Sequence, residues 1–367
     1  MTTRTTTLRA AAAVTAATAC LLAGCTSTGE TDPEARRTGS SGHGTASESS
    51  KPSRPADDGK PSDSASASSG PGRQDGAPWN LDRIDQRTPP LNGAFTTEAT
   101  GKGVTAYVID TGLDIKHRAF GGRASLGADF FDEPDASDCP ASDGTGHGTF
   151  VAGIVAGDPY GVAPEARLVR VQGIRCGEGR KPLPDGVQDT KLIQAVDWVR
   201  THAKKPAVVN MSINQKGVTK AVDAAVRRLI ASGVSVVVSA GNYGDDACKH
   251  SPAGVREAVV VAASTRRGRA WQESDENGSG HGRCVDLYAP GDHITSAWYE
   301  HGDATHPWGA TSWAAPHVTG AAALYLSAHP RATPGQVESW LVDHASRGVL
   351  KKVPPDTPNR FLNVSGL

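Results

Sequence analysis

The sequence predicts an α/β protein with a central, mostly parallel sheet and helices on both faces. Three observations carry this. Short apolar runs of strand length alternate with segments of helical period. The strand runs are apolar on consecutive residues rather than on every second one, as expected of strands buried on both faces. Asp110 and Asn242 stand at the ends of two such runs, where open α/β sheets place their sites.

The elements follow in chain order. With 38 Lys and Arg against 39 Asp and Glu, the chain of 367 residues carries a formal net charge of -1. That balance excludes a broad nucleic-acid or basic membrane-binding face as the organising feature. Arg4 and Arg9 precede a short apolar run, Ala10–Leu22, too short to span a bilayer. Leu22-Ala23-Gly24-Cys25 then resembles a bacterial lipobox, so residues 1–25 read as a lipoprotein-type signal with Cys25 as the lipidation site. Residues 26–77 contain no Val, Ile, Leu, Met, Phe, Tyr or Trp. Nothing there offsets the entropy of ordering, so they read as a disordered tether rich in Ser, Gly and Pro. The folded domain is expected over residues 78–367.

Val104–Ile109 is a β-branched strand that ends in Asp110-Thr111-Gly112. An Asp-Thr-Gly turn also serves aspartic proteases, but that chemistry needs two carboxylates sharing a proton, and no second copy exists. Asp143–Thr149 is glycine-rich around His147 and leaves the imidazole accessible at the start of a helix. A phosphate-cradling loop would need a Lys-Ser or Lys-Thr pair after it, and none follows. Leu168–Val171 reads as a strand. Residues 191–203 carry Leu192, Val196 and Val199 at helical spacing. Ala207–Met211 is a buried strand, and Val222, Val226, Leu229 and Ile230 mark a second helix. Val234–Val238 is an apolar strand ending in Ser239-Ala240-Gly241-Asn242, and Val259–Ala262 is another. Trp313–Ala328 reads as a helix with Ser312 just before it and Pro316 in its first turn. A hydroxyl there lies beside free backbone N–H groups, which suits a nucleophile whose attack creates an oxyanion.

Asp110, His147, Asn242 and Ser312 therefore form one constellation. The motifs around them, with Pro78–Arg87, Ser251-Pro252-Ala253 and Cys284–Gly291, resemble the subtilisin-like serine proteases, in the branch of proteinase K and aqualysin. The Asp, His, Ser order is the handed-down order of that family. The resemblance implies a three-layer fold and a serine endopeptidase acting on proteins or peptides. It implies Ser312 as nucleophile, His147 as general base and acid, and Asp110 as its orienting carboxylate. Asn242 would serve the oxyanion hole, and Ser212, Ile213, Asn214, Ala240 and Gly241 would bind substrate. The chemistry needs no cofactor, and the protein is expected to be an exported monomer that meets the membrane only through its lipid. A catalytically weak domain that binds peptides is the alternative, and a transpeptidase working through the same acyl-enzyme is a third.

Beyond Cys20 and Cys25, four cysteines remain, an even number suited to an oxidising compartment. The resemblance implies the pairs Cys139–Cys176 and Cys248–Cys284. Zinc is disfavoured because no Cys-x-x-Cys exists. The branch also implies a structural calcium, matched here by the Asp286 carboxylate and the carbonyls of Glu257 and Val259. The sequence departs from the family close to the site. Phe150 replaces a histidine, Ile213-Asn214-Gln215 replace Leu-Gly-Gly, Ala310 replaces glycine and Trp313 replaces methionine.

Overall fold

The computed structural model describes residues 72–131, 146–175, 183–298 and 302–367. Cys25, Cys139 and Cys176, the signal segment and nearly all of the expected tether lie outside the described residues.

Nine described strands form the main sheet: β3 (Thr105–Asp110), β4 (Ala124–Asp129), β5 (Arg167–Gln172), β6 (Ala207–Met211), β7 (Ser235–Ser239), β8 (Val259–Ser264), β9 (Leu287–Pro290), β12 (Ser346–Arg347) and β13 (Arg360–Phe361). Their order is β12-β13-β9-β8-β7-β6-β3-β5-β4, and every neighbouring pair is parallel except β12 with β13. The runs of Val and Ala that predicted strands are buried throughout in β3, β6, β7 and β8. Such strands need cover on both faces. Helices α2 (His147–Ala156) and α5 (Thr311–Ala328) pack on each other and on the sheet, while α3 (Val187–His202) and α4 (Lys220–Ala231) pack on each other elsewhere along it. The result is the expected three layers. α3 buries Leu192, Ala195, Val196 and Val199, the face its spacing predicted. α5 is different: its first fourteen residues, Thr311–Leu324, are all buried, because sheet, α2 and α6 (Pro334–His344) enclose it. A separate antiparallel hairpin, β10 (Asp292–Trp298) with β11 (Gly302–Gly309), leads into α5.

Two sequence expectations require correction. The tether was drawn to residue 77, yet β1 (Arg73–Asp75) pairs antiparallel with β2 (Ala94–Thr96). Arg-Gln-Asp has no apolar side chain to announce a strand. It is held by main-chain pairing, which hydropathy does not register. Ser312 and Pro316 are also placed differently. α5 begins at Thr311, so Ser312 is its second residue and Pro316 lies inside the helix, beyond the first turn.

Helix α1 (Trp79–Ile84) is tied to α5 through one buried pair. The ring of His317 lies 2.8 Å from the Trp313 carbonyl through Nδ1 and 2.9 Å from Asn80 Nδ2 through Nε2. A carbonyl can only accept and an amide N–H₂ can only donate, so Nδ1 carries the proton and Nε2 is bare. Burial holds this imidazole neutral down to about 4, against the opposing pull of the Trp313 carbonyl. The unfolded chain takes up that proton near 6.5 and the folded chain does not, so stability falls as pH drops from 6.5 toward about 4. His306, also lowered to about 4, adds to the same window. His317→Gln is expected to flatten the slope of unfolding free energy against pH there by about one proton. An unaltered slope in pH-resolved denaturant titrations would refute this tautomer and its neutrality.

Candidate active site

Asp110 is the last residue of β3, in register with Gln172 of β5. His147 is the first residue of α2. The two meet because Gly148 lets the helix start settle onto the turn after β3: a Cβ there would lie 2.1 Å from the Gly112 carbonyl oxygen. His147 Nδ1 donates to Asp110 Oδ1 at 2.7 Å. The same oxygen accepts from the Thr111 N–H at 2.8 Å, which fixes the carboxylate's plane. Burial lowers the His147 pKa, but the charge of Asp110 and its hydrogen bond outweigh that, and the net shift is upward.

Ser312 sits where Pro316 leaves a gap in the helical ladder. Proline has no N–H, so the Ser312 carbonyl lacks its donor four residues on. Ser212, just past the end of β6, supplies one: its hydroxyl donates to that carbonyl at 2.8 Å. The chain of bonds continues inward. Asn210 Nδ2 donates to Ser212 Oγ at 3.0 Å, and Thr319 Oγ1 donates to Asn210 Oδ1 at 2.8 Å. Sheet and helix are thus pinned together beneath the serine. The Ser312 hydroxyl itself donates to the Ser212 carbonyl at 3.3 Å, and no bond joins it to His147. His147 nevertheless lies against the next residue, with ring centroids 5.1 Å apart between His147 and Trp313. Asp110, His147 and Ser312 are therefore brought to one rim of the sheet.

Asn242 reaches the same place from β7. Its Oδ1 accepts from the Thr311 N–H at 2.9 Å and from Thr311 Oγ1 at 2.8 Å. It therefore caps α5, whose own N-cap residue Ala310 has no side chain for the purpose. With Oδ1 engaged, the amide's N–H₂ is left as a donor beside the first free N–H groups of the helix.

The substitutions near the site prove to be neighbours. Phe150, fully buried, lies 4.5 Å from Trp313 and 4.6 Å from His306 between ring centroids. His306 stacks on Trp313 at 5.0 Å with an interplanar angle of 6°, and Trp298 completes the cluster. Burial, with His147 nearby, pushes His306 down to about 4. Sequence reasoning missed His306 and Trp298. The signal available was the aromatic density of His306-Pro307-Trp308 just ahead of Ser312. Ala310 is extended at φ -159°, where any side chain fits, so glycine is not required.

Of the expected substrate-binding residues, Ile213 offers its carbonyl to Ser239 Oγ, and Ala240 N donates to Val261 O at 2.9 Å. Gly241 has φ +100° and faces Asn214: a Cβ there would lie 2.8 Å from Asn214 Oδ1. Asn214 therefore fills the space between the ends of β6 and β7, and neither atom of its amide has a partner. Gln215 Nε2 donates to Asp189 of α3. Away from the site, Cys248 and Cys284 form a disulfide. Asp286 accepts from the Val260 N–H at 2.8 Å, and burial above all pushes its carboxyl up to about 7, with Glu338 adding to the rise. Among the described residues, no group of three or more His, Cys, Asp and Glu could hold a metal by side chains alone.

Ser212→Ala leaves the Ser312 carbonyl and the Asn210 N–H₂ group without these partners in a buried setting, where such a loss costs about 1–3 kcal/mol. Denaturant unfolding should show a loss of that size, with wild-type stability counting against the bonded chain from Thr319 to Ser312.

The family model described as Subtilase family matches residues 101–363. The chain is 46% identical over 290 residues to the extracellular serine proteinase of Thermus sp. (strain Rt41A), covering 79% of this chain and 66% of that one. It is 44% identical over 277 residues to the alkaline serine exoprotease A of Vibrio alginolyticus, covering 75% of this chain and 48% of that one. The chain thus spans roughly half to two thirds of the length of these relatives. Among solved structures, a cold adapted subtilisin-like serine proteinase is 42% identical, with a TM-score of 0.70 over 79% of this chain and 98% of that one. With its matched family model, its parallel sheet and its acid, imidazole and hydroxyl at one sheet edge, the chain belongs to the subtilase family.

Proposed function

We propose that the protein is a secreted serine endopeptidase that hydrolyses peptide bonds through Ser312, His147 and Asp110. The observation that carries the reading is the 2.7 Å bond from His147 Nδ1 to Asp110, which leaves Nε2 as the unprotonated nitrogen of a ring that packs on Trp313, the residue after Ser312. In this reading His147 takes the Ser312 proton as Oγ attacks the scissile carbonyl. The oxyanion accepts from Asn242 Nδ2 and from the Ser312 N–H at the start of α5. His147 then passes its proton to the leaving amine, and water hydrolyses the acyl-enzyme with the same residues in reversed order. Asp110 holds the tautomer and offsets the imidazolium charge. Secretion is supported by the signal-like first 25 residues and by the extracellular relative. The anchor at Cys25, the tether and a monomeric state belong to the proposal. No helix among the described residues is long and apolar enough to cross a membrane.

A second reading, a peptide-binding domain with weak catalysis, is favoured by two observations. Ser312 Oγ is turned to the Ser212 carbonyl, and Asn214 occupies the space against Gly241. Fluorophosphonate labelling separates the two. Rapid labelling of Ser312, lost in Ser312→Ala, is expected for the peptidase. Asn242→Ala should lower turnover by roughly 10²–10³ while the fold persists. Folded protein that never labels would favour the binder.

The calcium site is part of the same proposal. Asp286 presents a buried carboxylate whose charge the fold resists, bonded to the Val260 N–H, and with the Glu257 and Val259 carbonyls that the family resemblance adds, the donor set would suit a hard cation. Because the folded carboxyl rises from 3.8 to about 7, its proton stabilises the fold fully below 3.8, and that contribution fades toward about 7. A cation replaces the proton, so calcium should raise Tm near about pH 8 and do little near about pH 5. Asp286→Asn should erase the difference; a Tm indifferent to calcium and chelator at both pH values would remove the metal.

A further inference from the structure

Past the ends of β8 and β9 the chain lines an open hollow of about 720 Å³. Its walls carry Arg266, Arg267, Arg269 and Lys352, together with Asp292 and His293. All four cations are exposed, and none forms an ion pair among the described residues. The one acid in the lining, Asp292, is bound to His293 at 2.7 Å. A chain of 38 basic and 39 acidic residues has thus gathered four unpaired cations around one hollow. Like charges so placed repel one another and raise the local concentration of anions. Two of the lining residues also hold strained backbone, His293 at φ 52° and Lys352 at φ 57°. Such conformations are kept where surrounding structure imposes them, often at binding sites.

The position says what kind of anion belongs there. In a parallel sheet all strand ends of one sense lie along one edge. Asp110 ends β3, Asn242 follows β7, Thr265–Arg269 follow β8, and Asp292 follows β9. β7 and β8 are neighbours, about 4.8 Å apart. The basic loop continues directly into the catalytic rim. Gly278 N donates to the Asn242 carbonyl at 3.3 Å, and Gly309 N donates to Glu273 Oε1 at 3.4 Å. Trp271 packs under Gly309, where a Cβ would lie 2.1 Å from its Nε1. The loop also carries Glu273, Asp275 and Glu276 between the cations and the rim, so a chain long enough to run past the catalytic residues along this edge would reach the cations beyond that acidic stretch. Cations spread over Arg266–Arg269 and Lys352 match successive carboxylates along a chain better than a single small anion.

We propose that this cavity is a second subsite that holds an acidic segment of a polypeptide substrate while a neighbouring bond is cut. The proposal rests on the peptidase reading. It is tested on the full chain with two fluorogenic peptides that share one neutral cleavage sequence. One carries a run of glutamates, the other an equal run of glutamines, placed in turn on either side of the scissile bond. Wild-type protein is expected to show a KM about tenfold lower for the glutamate peptide, from three or four exposed ion pairs, with the gap closing as salt is added. The triple variant Arg266→Gln, Arg267→Gln and Arg269→Gln should lose that gap. Its kcat/KM on the glutamine peptide and its Tm should stay at wild-type values.

Equal KM values for the two peptides in wild type, or a gap that survives the triple variant, would overturn the subsite. Failure to cleave either peptide would instead count against the peptidase reading. The subsite is then read by fluorescence anisotropy on Ser312→Ala: preference for the glutamate tail, lost in the triple variant, supports it, and equal binding overturns it. Binding to phosphatidylglycerol vesicles without preference for the glutamate tail would assign the cations to lipid phosphate and likewise overturn the proposal.

Discussion

The bond from Ser212 Oγ to the Ser312 carbonyl is the constraint on which the rest of the site depends. It exists because Pro316 withholds the N–H that would otherwise close the helical turn. The vacancy gives the sheet a handle on the second residue of α5, and Asn210 and Thr319 extend that handle into the core. A helix N-terminus held only by packing could slide along its axis. Here its register relative to β6 is set by hydrogen bonds, and Asn242 fixes the same terminus from β7 through Thr311. One small patch of polar bonding therefore aligns the serine, the amide donor and the strand end that carries Asp110.

A layer of aromatic side chains covers this polar floor. Phe150 on α2, Trp313 on α5 and Trp298 and His306 on the hairpin meet ring to ring. They set ring surface beside the His147 imidazole, and burial keeps His306 neutral. An apolar cover lowers the local dielectric and so strengthens the attraction between Asp110 and His147. The substitutions at Phe150 and Trp313 are in direct contact, with ring centroids 4.5 Å apart, so each packs against the other.

Charge is arranged along the sheet edge as deliberately as polarity is arranged beneath it. The paired acid and imidazole lie at β3, the amide donor at β7, and the unpaired cations past β8 and β9. Parallel strands make such an order available, since every strand delivers its following loop to the same rim. The proposed peptide-bond chemistry and the proposed acidic-segment subsite would use successive loops of one edge.

Determined by the sequence alone were the α/β class, the strands β3 and β5 to β8, helices α3 to α5, and the four side chains at the rim; β4, half-exposed with no unbroken apolar run, was not among them. These follow from local pattern: unbroken β-branched runs, helical spacing, and short polar motifs at strand ends. β1 escaped that reading because Arg73–Asp75 pairs through main chain and buries no apolar side chain. Pro316 was placed one turn too early because the true helix start is set by Asn242, a residue sixty-nine positions away. The tertiary structure alone decided what Phe150, Trp313 and His306 do together, how Asn214 sits against Gly241, and that Arg266–Arg269 face Lys352 across one cavity. Each of these depends on which distant residues come to lie in contact, and that is settled by the packing of layers, which periodicity in a single segment does not encode.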